Sequence, residues 1–132
     1  MIIEYRETHE FGSGELERLF LSVDWSSGRF PDELVVAMRN YETVFSAWDG
    51  DRLVGMVCAM DDGIMNAYVH YLLVDPEYQD MKVGRTLVNM VKQRYQDYKR
   101  IMLIAENNEL RFYENCGFRS CADATPMFIT SL

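Results

Sequence analysis

The sequence is short of the residues that build metal centres and disulfide frameworks. It holds 3 cysteines and 2 histidines in 132 residues. Cys58, Cys116 and Cys121 are odd in number and sparse, which argues against a disulfide framework and for a reducing compartment. With only His9 and His70 to join them, no metal-ligand cluster can be assembled and no metal is expected. Positive charge is scarce as well. Lysine and arginine total 13 against 21 acidic residues, a net charge of −8. Nucleic-acid binding relies on clustered cations, so no nucleic-acid partner is expected. The same balance is explained first by plain solubility, and only secondarily by a cationic acceptor such as an amine. No apolar run approaches the roughly 20 residues of a membrane span. The opening Met-Ile-Ile-Glu-Tyr-Arg-Glu lacks a signal-peptide core. The expectation is a cytoplasmic protein without a membrane partner.

What is present suffices for a core. A hydrophobic content of 48% with 13% aromatics fills one domain spanning residues 1–132. Ile2 to Glu7 alternates as a strand. Ser13 is placed to cap a helix from Gly14 to about Val23. After a loop at Asp24 to Gly28, Pro31 opens a second helix reaching Arg39. Val44 to Trp48 and Leu53 to Met60 read as strands joined at Asp49-Gly50, a strong hairpin signal. Asp61-Asp62-Gly63 turns into a fourth strand, Ile64 to Val74. Val83, Leu87, Val91 and Tyr95 recur four apart, so a helix is expected from Val83 to about Tyr98. Ile101 to Ala105 reads as a buried parallel strand. Glu109 to Asn115 is a short helix ended by Gly117. Phe118 to Ala122 and Met127 to Ser131 complete the sheet.

The stretch from Leu72 to Thr86 organises the rest. Pro76 ends the fourth strand, because it cannot donate to a ladder and biases Asp75 away from helix. A short polar loop then leads into a helix N-terminus, where unpaired N–H groups and the positive end of a dipole suit phosphate. Val74-Asp-Pro-Glu-Tyr-Gln79 followed by Val83-Gly-Arg-Thr resembles the acetyl-CoA signature of the GCN5-related N-acetyltransferases. In that signature a glutamine or arginine is followed by two residues, a glycine, one residue, and a glycine or alanine. Gln79 fills the first position and Gly84 the last. Lys82 stands where the first glycine is expected, and a lysine restricts positive φ. The segment Phe112-Tyr-Glu-Asn-Cys-Gly-Phe118 strengthens the resemblance.

The resemblance implies an α+β fold in three layers, with a mixed, mostly antiparallel sheet of six to seven strands and about four helices. It implies acetyl-CoA as co-substrate, held by Gln79, Asp80, Met81, Lys82, Val83, Gly84, Arg85 and Thr86. It implies that the fourth strand splays from the fifth, so that Leu72, Leu73 and Val74 meet the pantetheine through their backbone. The Val74 N–H would then be the oxyanion donor. Tyr113 would protonate the leaving sulfur as general acid, the alternative being a tyrosine packed on Phe118. The family often has an asparagine seven residues before that tyrosine. Glu106 fills that position, with Asn107 and Asn108 following as cofactor contacts. Some members use a glutamate base on the fourth strand, at the position of Tyr68. His70 shares that face by the two-residue period and is a candidate base. A sheet histidine, a substrate contact, or base work done by water stay open. Trp25 and Phe30, under the first two helices, are candidate substrate contacts or simple packing, and Tyr68 on the fourth strand is a third candidate substrate contact.

The expected activity is transfer of an acetyl group from acetyl-CoA to a primary amine, small-molecule or peptide, by direct attack in a ternary complex. The alternative is a catalytically weak or inactive CoA-binding or regulatory module. A monomer or homodimer is expected.

Overall fold

Two Asp-Gly turns set the antiparallel part of the sheet. In the computed structural model, which describes residues 1–132, Gly50 has φ +58 and Gly63 φ +86. Glycine reaches that left-handed backbone at no steric cost. The turns join β2 (Thr43–Asp49), β3 (Arg52–Asp61) and β4 (Asn66–Val74). β1 (Glu4–Glu7) lies antiparallel on β2, and β5 (Arg100–Leu103) lies parallel on β4. The strand order is β1-β2-β3-β4-β5. α1 (Ser13–Ser22) and α2 (Pro31–Asn40) bury Leu16, Leu19, Phe20, Leu34 and Met38 on one face. α3 (Val83–Arg94) buries Val83, Leu87 and Val91 on the other. α4 (Leu110–Asn115) follows β5.

The mixed α/β class agrees with the sequence; the strand number does not. There are five strands rather than six to seven. Phe118 to Ala122 and Met127 to Ser131 carry no strand, and residues 119–132 are exposed throughout. A strand needs a ladder partner and a buried face, and these segments have neither. Several element ends also differ. Gly12 stands at the N-cap of α1 instead of Ser13, its N–H donating to Glu15 at 2.7 Å. β4 starts at Asn66 rather than Ile64, because the Asp62 carboxylate accepts the N–H groups of Ile64, Met65 and Asn66 in the turn. β5 stops at Leu103 rather than Ala105. α3 stops at Arg94 rather than Tyr98. Tyr95 and Tyr98 instead turn to donate their hydroxyls to Asp61, at 2.8 and 3.3 Å.

β4 carries an extra residue. Cys58 pairs with His70 and Met56 with Leu73, so two residues on β4 oppose one on β3. Tyr71 takes φ +50 there. That region is an outlier for a bulky side chain, costing about 1–3 kcal/mol. The bulge puts His70 and Tyr71 on the same face, their rings stacked at 3.9 Å and 19°. It also re-phases the strand, sending Leu73 to the α1–α2 core and Leu72 and Val74 to the α3 core.

The α3 layer is held close by Gly55. A Cβ there would lie 3.0 Å from Val83 Cγ1 and 3.3 Å from the Leu73 carbonyl oxygen. Gly55→Ala is expected to lower unfolding stability by about 1–3 kcal/mol, the range for overpacking. Urea denaturation checks this; an unchanged midpoint would mean that α3 has room to move outward.

Candidate active site

β5 follows β4 only as far as the pair Val69 and Leu103. β4 runs on to Val74, so its last five residues have no strand on that side. A cleft of about 1110 Å³ opens there. Its walls are the end of β4, the head of α3, the Ile104–Glu109 segment, α4, and the turn after α1.

The strand end is anchored before it enters α3. The Asp75 N–H donates to the Val54 carbonyl at 2.8 Å. The buried Asp75 carboxylate accepts the Glu77 N–H and the Arg52 guanidinium, both at 2.9 Å. The Gln79 side-chain amide donates back to the Val74 carbonyl at 3.2 Å. A 3₁₀ turn, Pro76–Met81, fills what the sequence suggested as a plain loop. Lys82 then takes φ +60, ψ 23. The lysine thus takes a left-handed backbone, the conformation that a glycine reaches at no steric cost. The first bond of α3 runs from the Thr86 N–H to the Lys82 carbonyl, 3.0 Å. The N–H groups of Val83, Gly84 and Arg85 precede it, and no side chain caps them. Val83 is fully buried, so the Gly84 and Arg85 donors, the dipole and two flexible cations are what the helix head can offer an anion.

The cleft gathers most of the expected site residues: Leu72, Leu73, Val74, Gln79, Asp80, Lys82, Gly84, Arg85, Asn108, Tyr113, His70, Tyr68 and Trp25 all line it. Five do not. Val83 is buried under Gly55. Met81 packs against the α3-side core. The Thr86 hydroxyl donates to the Lys82 carbonyl at 2.9 Å. Asn107 is exposed in a 3₁₀ turn. Phe30 lines a separate cavity of about 200 Å³ with Leu34, Ala37 and Leu132, because Pro31 starts a helix that turns it away. Gly84 has a role beyond access. A Cβ there would sit 3.3 Å from Phe112, so the glycine also lets α4 approach α3.

Tyr113 is half-buried, edge-on to Phe112 and Phe118 at 5.1 and 5.9 Å. Burial first, then the charges of Glu109, Cys116 and Glu106, push its pKa up to about 12. The phenol therefore keeps its proton at neutral pH. His70 Nδ1 lies 2.7 Å from the Tyr41 hydroxyl. Burial lowers the His70 pKa. Its imidazole is neutral at pH 7, and only Nε2 is left for another partner.

A family model described as an acetyltransferase (GNAT) domain matches residues 28–127. The chain belongs to the GNAT acetyltransferases. It is similar to GCN5-related N-acetyltransferase 2, chloroplastic, of Arabidopsis thaliana, 39% identical over 71 residues, 52% of this chain and 28% of that protein. An uncharacterized N-acetyltransferase, ycf52-like, of Prochlorococcus marinus is 30% identical over 79% of this chain and 61% of its own length. The chain thus spans less than a third of the Arabidopsis relative. A GNAT family acetyltransferase from Streptococcus pneumoniae has the same fold, with TM-score 0.84 over 98% of both chains at 23% identity.

Sequence reasoning missed Tyr71 and Asp24 at this GNAT cleft, and Tyr41, which holds the cleft residue His70. Tyr41 reaches His70 across 29 residues and belongs to no motif. Asp24 has φ +60, a conformation aspartate tolerates better than most, but nothing in the sequence placed it on the cleft wall.

The His70 shift has a definite sign. The unfolded chain takes up a proton near pH 6.5, and the folded chain only at lower pH. Stability from the neutral imidazole is therefore complete above about pH 6.5 and is lost as pH falls through the folded value. His70→Gln should flatten the change in urea midpoint between pH 7.5 and pH 5. A variant that loses stability as steeply as wild type would remove His70 as the cause.

Proposed function

We propose that this protein transfers an acetyl group from acetyl-CoA to a primary amine by direct attack in a ternary complex. One observation carries the reading. The departure of β4 from β5 brings an uncapped helix head, an unpaired strand edge and a protonated phenol onto one cleft.

Acetyl-CoA supplies the thioester-activated acetyl group. The chain's own residues fit it. The Gly84 and Arg85 N–H groups bind diphosphate oxygens, with the Lys82 and Arg85 cations adding attraction. Leu72, Leu73 and Val74 offer backbone groups along the strand edge. The Val74 N–H polarises the carbonyl, an interaction worth about 3 kcal/mol in the transition state. His70 takes the amine proton at Nε2 while Nδ1–H donates to Tyr41. Tyr113 gives its proton to the departing sulfur; a carboxylic acid would be ionised at this pH and unable to do so.

The competing reading, a CoA-binding module without turnover, takes its ground from Lys82. That ground is weakened by the left-handed backbone at this residue, which keeps the path a glycine would give.

Tyr113→Phe is expected to lower kcat by about 100-fold or more, the usual scale of acid catalysis, with CoA affinity unchanged. A kcat within twofold of wild type would end the acid role. Lys82→Gly keeps the backbone path and removes the ammonium. Calorimetry should show CoA binding about tenfold weaker, or about 1.4 kcal/mol. An unchanged Kd would mean that Lys82 points away from the phosphates.

A further inference from the structure

The α1–α2 side of the cleft is a wall of rings. Trp25 lies 6.2 Å from Tyr71, Tyr71 stacks on His70 at 3.9 Å, and His70 lies 5.7 Å from Tyr68. The wall is stiff. Phe20 meets Tyr71 edge-on at 5.0 Å, the Tyr71 hydroxyl lies 3.0 Å from Ser27 Oγ, and Tyr41 holds His70. Rings braced in this way recognise flat or cationic groups at little entropic cost.

The cations are confined to one end of the same cleft. They are Lys82 and Arg85, both at the head of α3, and Asp80 is the acid that lines that end. The turn after α1 contributes Asp24, Ser26 and Ser27 beside Trp25, and no lysine or arginine. Glu106 and Glu109 line the cleft near Tyr113. A carboxylate or phosphate on the acceptor would meet rings and like charge there, with nothing to neutralise it. An ammonium would meet the ring faces and Asp24.

We infer that the acceptor is a primary amine that carries no carboxylate or phosphate and is presented on an aromatic or apolar body lying along the Tyr68–His70–Tyr71–Trp25 wall. The inference rests on the acetyl-transfer reading and narrows its substrate class. Amino acids and sugar phosphates are then poor acceptors, because each brings an acid to an end of the cleft without a cation. Asp24 is a specificity residue rather than a participant in the chemistry.

Matched pairs differing by one acid group test this: phenethylamine against phenylalanine, putrescine against ornithine, glucosamine against glucosamine 6-phosphate. CoA release should favour the acid-free member by about 100-fold in kcat/KM. Asp24→Asn keeps a residue that tolerates the left-handed backbone and should narrow each ratio about fivefold. Ser26→Arg should raise turnover of the acid-bearing members. A loss of folding alone would lower both members of a pair alike. In parallel, calorimetry measures binding of each amine to the protein without acetyl-CoA. Equal or inverted preference in either arm, a pair ratio unmoved by both variants, or no binding and no turnover of any member would overturn the inference. Failure of acetyl-CoA to bind, with the acid-free preference intact in calorimetry, would overturn the acetyl-transfer reading alone.

Discussion

The whole site depends on one extra residue in β4. A regular strand would keep β5 alongside it and would alternate its side chains to the end. The bulge at Tyr71 changes the phase of the residues from Leu72 to Val74, and beyond Val69 the ladder to β5 is gone. The strand then presents its backbone, rather than a neighbour's, to the cleft. Bulges beside active sites commonly re-aim side chains in this manner. Here the result is two adjacent rings on one face, His70 and Tyr71, at a spacing that uninterrupted alternation forbids.

The strain at Tyr71 is held by its surroundings. The ring is wedged among Phe20, Trp25, Tyr41 and His70, and its hydroxyl is tied to Ser27. Edge-to-face aromatic pairs contribute about 0.5–1.5 kcal/mol each beyond area burial. Two or three such pairs offset a φ penalty of about 1–3 kcal/mol. The left-handed Lys82 is a second such point. It is fixed from both sides, by the 3₁₀ turn that ends at Met81 and by the α3 bonds that begin on its carbonyl. Anchoring of Asp75 to Arg52 and Val54 keeps the two strained residues at a constant separation.

How much of this was legible in the sequence depends on the range of the interaction behind each feature. Element types rest on local periodicity, and the helices over Leu16–Phe20, Leu34–Met38 and Val83–Val91 were readable for that reason. The junction from Val74 to Gly84 was readable because proline, glycine and a helix start leave local marks. The bulge was not, since an extra residue exists only relative to a partner strand, and nothing in Val69-His-Tyr-Leu marks it. Met127 to Ser131 has strand composition without a ladder to join, so propensity misled there. Tyr95 and Tyr98 continued the α3 stripe in sequence, yet Asp61, remote in the chain, draws their hydroxyls away. Asp24 reaches the cleft, and Tyr41 reaches His70, only through tertiary packing, which a single sequence does not display.

Burial acts on both the proposed base and the proposed acid and favours the neutral form of each. It lowers the pKa of His70 and raises that of Tyr113, because either charged form would lose hydration. An acetyl transfer to an amine needs a free lone pair at one point and an available proton at another. At neutral pH this cleft holds a neutral imidazole and a protonated phenol together. Burial does this at each group through different rings, Tyr41 and Tyr71 at His70 and Phe112 and Phe118 at Tyr113. The fixed charges of Lys82, Arg85 and Asp24 all lie on exposed residues, where they attract ions without costing desolvation. The interior is left to neutral groups, and the charges stay at the rim.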